Sequence, residues 1–139
     1  MKADQQRISD ALKEVFPERL ELGYLFGSFA TGHATANSDI DLAILPTDPL
    51  PKLEIWERAQ KLAKILGRDV DLIDLMNCTT VLRSQIVREG VLLLDTNGLA
   101  PFFETDTYRM YQDMQLSRQD NINSFVGRLK GSAFLGNQH

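Results

Sequence analysis

Ile8, Ala11, Leu12, Val15 and Phe16 recur at the i, i+3, i+4, i+7, i+8 spacing of one helical face, which predicts a helix over residues 4–16 closed by Pro17. Leu20 to Phe26 then reads as a strand, broken by Gly27-Ser28. A short helical turn is expected between Phe29 and Thr35, followed by the polar loop Ala36-Asn37-Ser38. Asp39 to Leu45 reads as a second strand, and Pro46-Thr47-Asp48-Pro49 ends it. Lys52 to Leu66 predicts a second helix with Leu53, Trp56, Ala59, Leu62, Ala63 and Leu66 on its apolar face and Gly67 as its stop.

A third strand is expected over Asp69–Leu75 and a helix over Thr80–Glu89, capped by Asn77, Thr79 or Thr80. Gly90 ends that helix, Val91–Asp95 is a short apolar strand, and Asn97-Gly98 marks a turn. Beyond Pro101, Phe103, Met110, Tyr111, Met114, Ile122, Phe125 and Leu129 return to helical spacing, as one long helix or two broken ones. The tail Gly131–His139 reads as loose. Helices and strands in this order predict an α/β (α+β) fold, a small mixed sheet flanked by helices. Residues 1–97 form its expected core; residues 98–139 form a C-terminal helical extension and tail of the same unit.

A chain of 139 residues suits one domain and needs no disulfide staple. Its one cysteine, Cys78, has no internal partner, which points to a reducing, cytoplasmic setting and reads as a small filler near a helix start. The first residues are polar with no apolar stretch behind them, and no apolar run approaches the roughly 18 residues of a membrane span. Net charge is −4, and the acid excess lies in residues 1–99. No basic stripe is visible, so long nucleic acid is a poor candidate substrate. A triphosphate neutralised by metal needs no such stripe.

Asp39 and Asp41 sit two apart on a strand, so they share a face while Ile40 points the other way. Their Cα atoms are expected about 6.5–7 Å apart. Two like charges on one face raise each other's pKa, and a divalent cation removes the conflict. Hard oxygen ligands in this arrangement suit Mg²⁺, which takes its remaining ligands from water and substrate phosphates. Gly27-Ser28 supplies the complement: glycine admits a phosphate close to the backbone, turn N–H groups favour anions, and the Ser28 hydroxyl adds a donor.

Gly27-Ser28, ten intervening residues, then Asp39-x-Asp41 resembles the signature of the polymerase-β-like nucleotidyltransferase superfamily, and "LFGSFATGHATANSDIDLAIL" looks like that motif throughout, with Ser38 just before the first Asp. The resemblance implies a third carboxylate on a neighbouring strand. Asp71, within the apolar run "VDLIDL" where a buried charge needs a partner, is the choice; Asp69 shares its face and is the alternative, and Asp74 points away. It further implies that Asp39, Asp41 and Asp71 hold Mg²⁺, two ions in all. Gly27, Ser28 and Ser38 would bind the nucleotide, and Asp71 would help remove the proton of an attacking hydroxyl.

"GRDVDLIDL" and "VLRSQIVREGVLLLD" are similar to the minimal nucleotidyltransferases of prokaryotes, and the C-terminal "PFFETDTYRMYQDMQLSRQDN" looks like the extra helix of the MNT antitoxins paired with HEPN-domain toxins. That likeness implies a protein adenylyltransferase that transfers AMP from ATP to a tyrosine of a cognate HEPN ribonuclease, in a hetero-oligomer with it. A small-molecule nucleotidyltransferase of the aminoglycoside type and a non-catalytic, toxin-sequestering module are the competing readings. One departure stands out: Thr31 occupies a position where relatives often carry arginine, which leaves a phosphate contact to be supplied elsewhere, with His33 as a nearby substitute.

Overall fold

A computed structural model describes residues 2–17 and 19–135. Helix α1 (Lys2–Val15) leads into strand β1 (Leu20–Phe26), and one helical turn, α2 (Ser28–Thr31), separates it from β2 (Ile40–Pro46). Then follow α3 (Lys52–Leu66), β3 (Val70–Asp74), α4 (Thr80–Glu89), β4 (Val91–Asp95) and α5 (Ala100–Leu135). The C-terminal pattern therefore forms one continuous helix, and the tail expected to be loose is helical as far as Leu135. Residues 136–139 lie outside the described residues.

The strands form one mixed sheet in the order β3-β2-β1-β4. β1 runs antiparallel to both β2 and β4, while β2 and β3 are parallel. Parallel neighbours cannot be joined by a tight turn, so α3 serves as the crossover between them. Strand alternation then splits the core in two. Ile40, Leu42 and Ile44 of β2 face α1 and α3, packing with Leu12, Phe16, Leu62 and Leu66. Ala43 faces the other way, where Leu22 and Tyr24 pack with Ile86, Val87, Ala100 and Phe103 of α4 and α5. The register of β1 shifts between Leu20 and Leu22, so these two residues enter opposite cores despite their spacing.

The buried face of α3 differs from the expected one. Ala59, Leu62 and Leu66 are buried with Ile55 packed beside them, whereas Leu53 and Trp56 are 66% and 61% exposed. The first turn of α3 overhangs the core, and its Glu54 instead pairs with Arg58 (2.7 Å) and Arg19 (3.1 Å). Gly67 ends the helix in the left-handed region, and of the candidate caps for α4 the hydroxyl of Thr79 accepts from Leu82 N at 3.1 Å.

The first two turns of α5 belong to the second core. Asp95 accepts from the Leu99 and Ala100 amides at 2.9 and 3.1 Å, and Ala100, Phe103 and Thr107 are buried. Arg83 of α4 lies 3.9 Å from the centre of the Phe103 ring and donates to Thr107 Oγ1 at 2.6 Å. From Leu116 to Leu129 every side chain is exposed. No helix among the described residues is long and apolar enough to cross a membrane.

Candidate active site

The sheet brings the motif residues to one end. Phe26, the last residue of β1, pairs with Asp41, so Gly27 and Ser28 emerge directly beside that carboxylate. Gly27 adopts φ 70° and ψ −151°, a conformation essentially confined to glycine. A Cβ there would fall 2.1 Å from Asp41 Oδ2. The glycine is thus required twice, once by its backbone angles and once by the carboxylate that occupies the space of its missing side chain.

On the other side, parallel pairing sets Asp41 level with Asp71, across a strand spacing of about 4.8 Å. Both project from the α4/α5 face, because Ile40, Leu42 and Leu72 take the opposite one. Partial burial first, and then the charges of Asp71 and Asp39, push the Asp41 carboxyl above its ordinary pKa. The reason given for Asp71 from the sequence does not hold, however. β3 is an edge strand and Asp71 is exposed, so its place beside Asp41 comes from register and not from the cost of burial. Asp74 is used locally, accepting from Met76 N and Asn77 Nδ2, each at 2.9 Å.

Among the described residues, no Lys, Arg or His forms an ion pair with Asp39, Asp41 or Asp71. Nor, among the described residues, do three His, Cys, Asp or Glu side chains converge closely enough to hold an ion by themselves. Uncompensated hard oxygen donors that need further ligands fit Mg²⁺ completed by water and phosphate oxygens better than a closed protein site.

Two motif neighbours turn inward. Thr31, in the position where relatives often carry arginine, points its hydroxyl at the carbonyls of Gly27 (3.3 Å) and Ser28 (3.4 Å), closing the turn. His33 packs its Nδ1 3.0 Å from the same hydroxyl. The Ser38 hydroxyl accepts from Thr35 N at 2.8 Å, so it shapes the loop before Asp39. Arg68, two residues ahead of β3, reaches into that loop; the sequence marks it only as a cation between the stop of α3 and Asp69.

The family profile described as "Polymerase beta, Nucleotidyltransferase" matches residues 6–98. The chain is 40% identical over 133 residues to the protein adenylyltransferase MntA of Shewanella oneidensis, covering 96% of this chain and 95% of that one. It superposes with a TM-score of 0.77 on a chain from the crystal structure of a toxin–antitoxin with AMP-PNP, at 42% identity, covering 88% of this chain and 98% of the other. A structure of a tri-AMPylated Shewanella oneidensis HEPN toxin in complex with its MNT antitoxin gives 0.72 at 38% identity, over 90% of this chain and 98% of that one. Likeness along nearly the whole length, and not the motif alone, carries the assignment: the chain belongs to the polymerase β nucleotidyltransferase family, among the minimal nucleotidyltransferases that include MntA.

Proposed function

We propose that this protein is an antitoxin adenylyltransferase, moving AMP from ATP to a tyrosine hydroxyl of a cognate HEPN-domain ribonuclease with which it forms a hetero-oligomer. The observation that carries the reading is the alignment of Asp41 with Asp71 beside the Gly27 turn. It is supported by the named activity of the Shewanella relative and by the AMP-PNP and tri-AMPylated toxin in the similar complexes. A cytoplasmic setting, where ATP is at hand, goes with it.

The residues divide the work. Gly27 and Ser28 receive the β and γ phosphates at a turn where no Cβ blocks approach. Asp39, Asp41 and Asp71 are the groups that would hold Mg²⁺, two ions in the arrangement proposed, and Ser38 shapes the loop that presents Asp39. When bound, the metal neutralises the clustered carboxylates and stabilises charge on the reacting phosphate. Asp71, exposed at the sheet edge, faces the incoming acceptor and takes the proton of its hydroxyl. The acceptor oxygen bonds to the α-phosphorus as the bond to pyrophosphate breaks, leaving AMP esterified to the partner.

Label position tests this. With a cognate HEPN protein, Mg²⁺ and ATP, label in the α-phosphate should move to the partner while label in the γ-phosphate leaves as pyrophosphate. ATP binding without movement of α-label would mark a binding module instead.

A further inference from the structure

Asp39 stands at the end of an exposed loop, one residue ahead of β2, and something must hold it in register with Asp41. Within the loop, Ser38 N donates to Thr35 O at 3.1 Å, and Thr35 N donates back to Ser38 Oγ at 2.8 Å. These bonds shape the loop but do not fix it to the rest of the protein. At its exit, Ile40 N donates to Asp69 O at 2.9 Å and begins the ladder with β3. Among the described residues, the side chain from outside that hydrogen-bonds to residues 35–38 is Arg68. Its Nη1 lies 3.1, 2.9 and 3.2 Å from the carbonyl oxygens of Thr35, Ala36 and Ser38. Two protons on one nitrogen are shared among three converging carbonyls, and charge strengthens each contact.

The same guanidinium covers a second element. Its carbon lies 5.1 Å from the centre of the Phe29 ring, within the range of a cation–π contact. Phe29 belongs to α2, the turn that begins with Ser28. One side chain therefore touches both the loop that carries Asp39 and the turn that starts at the Gly27-Ser28 corner. Arginine suits this double task because a planar ion can stack through its face while donating through its edge, which a lysine ammonium cannot do.

We propose that Arg68 is a positioning residue for the nucleotidyl-transfer site, fixing the Asp39 loop against the phosphate-binding turn through its three carbonyl contacts and its stacking on Phe29. The proposal rests on the adenylyltransferase reading above. Arg68 is partly exposed and the loop it holds is exposed, so its loss should loosen the site without opening either core.

Full-length Arg68→Gln and Arg68→Lys decide the matter alongside the unaltered protein. Amide hydrogen exchange, AMP-PNP binding with Mg²⁺ and the Mg²⁺ dependence of AMP transfer are read on each. Arg68→Gln should melt near the unaltered protein. Its exchange should quicken at residues 35–39 and not in the sheet, and the Mg²⁺ needed for half-maximal transfer should rise about 10- to 100-fold, the usual range when support of a metal ligand is lost. Arg68→Lys should fall between the two, keeping carbonyl contacts without the stack. Unchanged loop exchange and Mg²⁺ dependence in Arg68→Gln would overturn the proposal, as would faster exchange throughout the sheet, which marks a merely structural role. Should the unaltered protein bind AMP-PNP but transfer no AMP, the functional reading fails on its own. Loop exchange and AMP-PNP affinity then still judge Arg68.

Discussion

Gly27 and Asp41 share one space: a methyl group on the glycine would stand 2.1 Å from the aspartate's Oδ2, well inside contact distance. Gly27→Ala must therefore displace the carboxylate and also hold alanine in a glycine-only conformation, a strain of about 1–3 kcal/mol. Gly67 provides the control, having a similar φ of 69° but open space around its missing Cβ. Gly67→Ala should cost about 1 kcal/mol and leave transfer intact. Urea unfolding and AMP transfer, measured on both variants, should show the larger stability loss for Gly27→Ala and lost activity for that variant alone. Equal activity in the two would show that the close approach of Gly27 to Asp41 is unimportant.

Asp41 works against the stability of the metal-free fold. Its carboxyl pKa is raised in the folded state, by partial burial and then by Asp71 and Asp39. A raised folded pKa means that the folded state binds this proton more tightly than the unfolded one. The associated stability is fully present below the unfolded pKa and is lost as pH rises through the folded value. Asp41→Asn should therefore raise the melting temperature slightly at neutral pH without metal, with the gain shrinking as pH falls into the carboxylate range. Transfer should fall by at least about a hundredfold. Melting curves across pH check the first part; a gain that persists undiminished in acid would contradict it.

How much of this was legible in the sequence depends on what fixes each feature. Strand β1 and the helices α3 and α4 follow from periodicity and from local stops such as Gly67 and Gly90, and their bounds coincide with the expected ones. The two-residue spacing of Asp39 and Asp41 was legible, but Asp39 falls one residue ahead of β2, so alternation alone does not fix its side chain. The level placement of Asp71 could not be read this way, because it depends on the register of a parallel pair 30 residues apart in sequence, and β3 lies at an edge where the burial argument fails. Leu53 and Trp56 misled for a similar reason: their spacing fits a helical face, but the core is covered by Ile55, Ala59, Leu62 and Leu66 and leaves those two exposed. Arg68 has no local pattern, since its partners lie 30 to 33 residues earlier in the chain.

The C-terminal helix divides in two. A chain cut at Asn97 would lose Ala100, Phe103 and Thr107 from the second core, and loss of a buried phenylalanine alone costs about 3–5 kcal/mol. It should not fold stably. A chain ending at Gln115 keeps those residues and Tyr111, over whose ring Arg88 sits at 5.7 Å. It should melt close to the full-length protein and bind ATP normally. We expect it to lose affinity for the HEPN partner, because the removed part carries exposed Leu116, Ile122, Phe125 and Leu129. Calorimetry with ATP and with the partner separates these effects; full partner affinity in the shortened chain would place the interface elsewhere.

Thr107 tests the junction between α4 and α5. Its hydroxyl accepts from Arg83 at 2.6 Å and donates to Phe103 O at 2.7 Å while the side chain is fully buried. Thr107→Val keeps the shape and leaves a partly buried guanidinium N–H without its partner, at a cost of about 1 kcal/mol. Chemical denaturation should show this loss with AMP transfer per folded molecule unchanged. A neutral substitution would mean that Arg83 is held by Phe103 and Asp106 alone.

Intact-mass measurement of the HEPN partner after incubation with this protein, ATP and Mg²⁺ is the most direct test of the central claim. The partner should gain mass in steps of one adenylyl group, located on tyrosine by fragmentation. It should gain none when Asp41→Asn replaces the unaltered protein, although the two still associate. A partner that stays unmodified with the unaltered protein, or that is modified equally well by Asp41→Asn, would contradict the account.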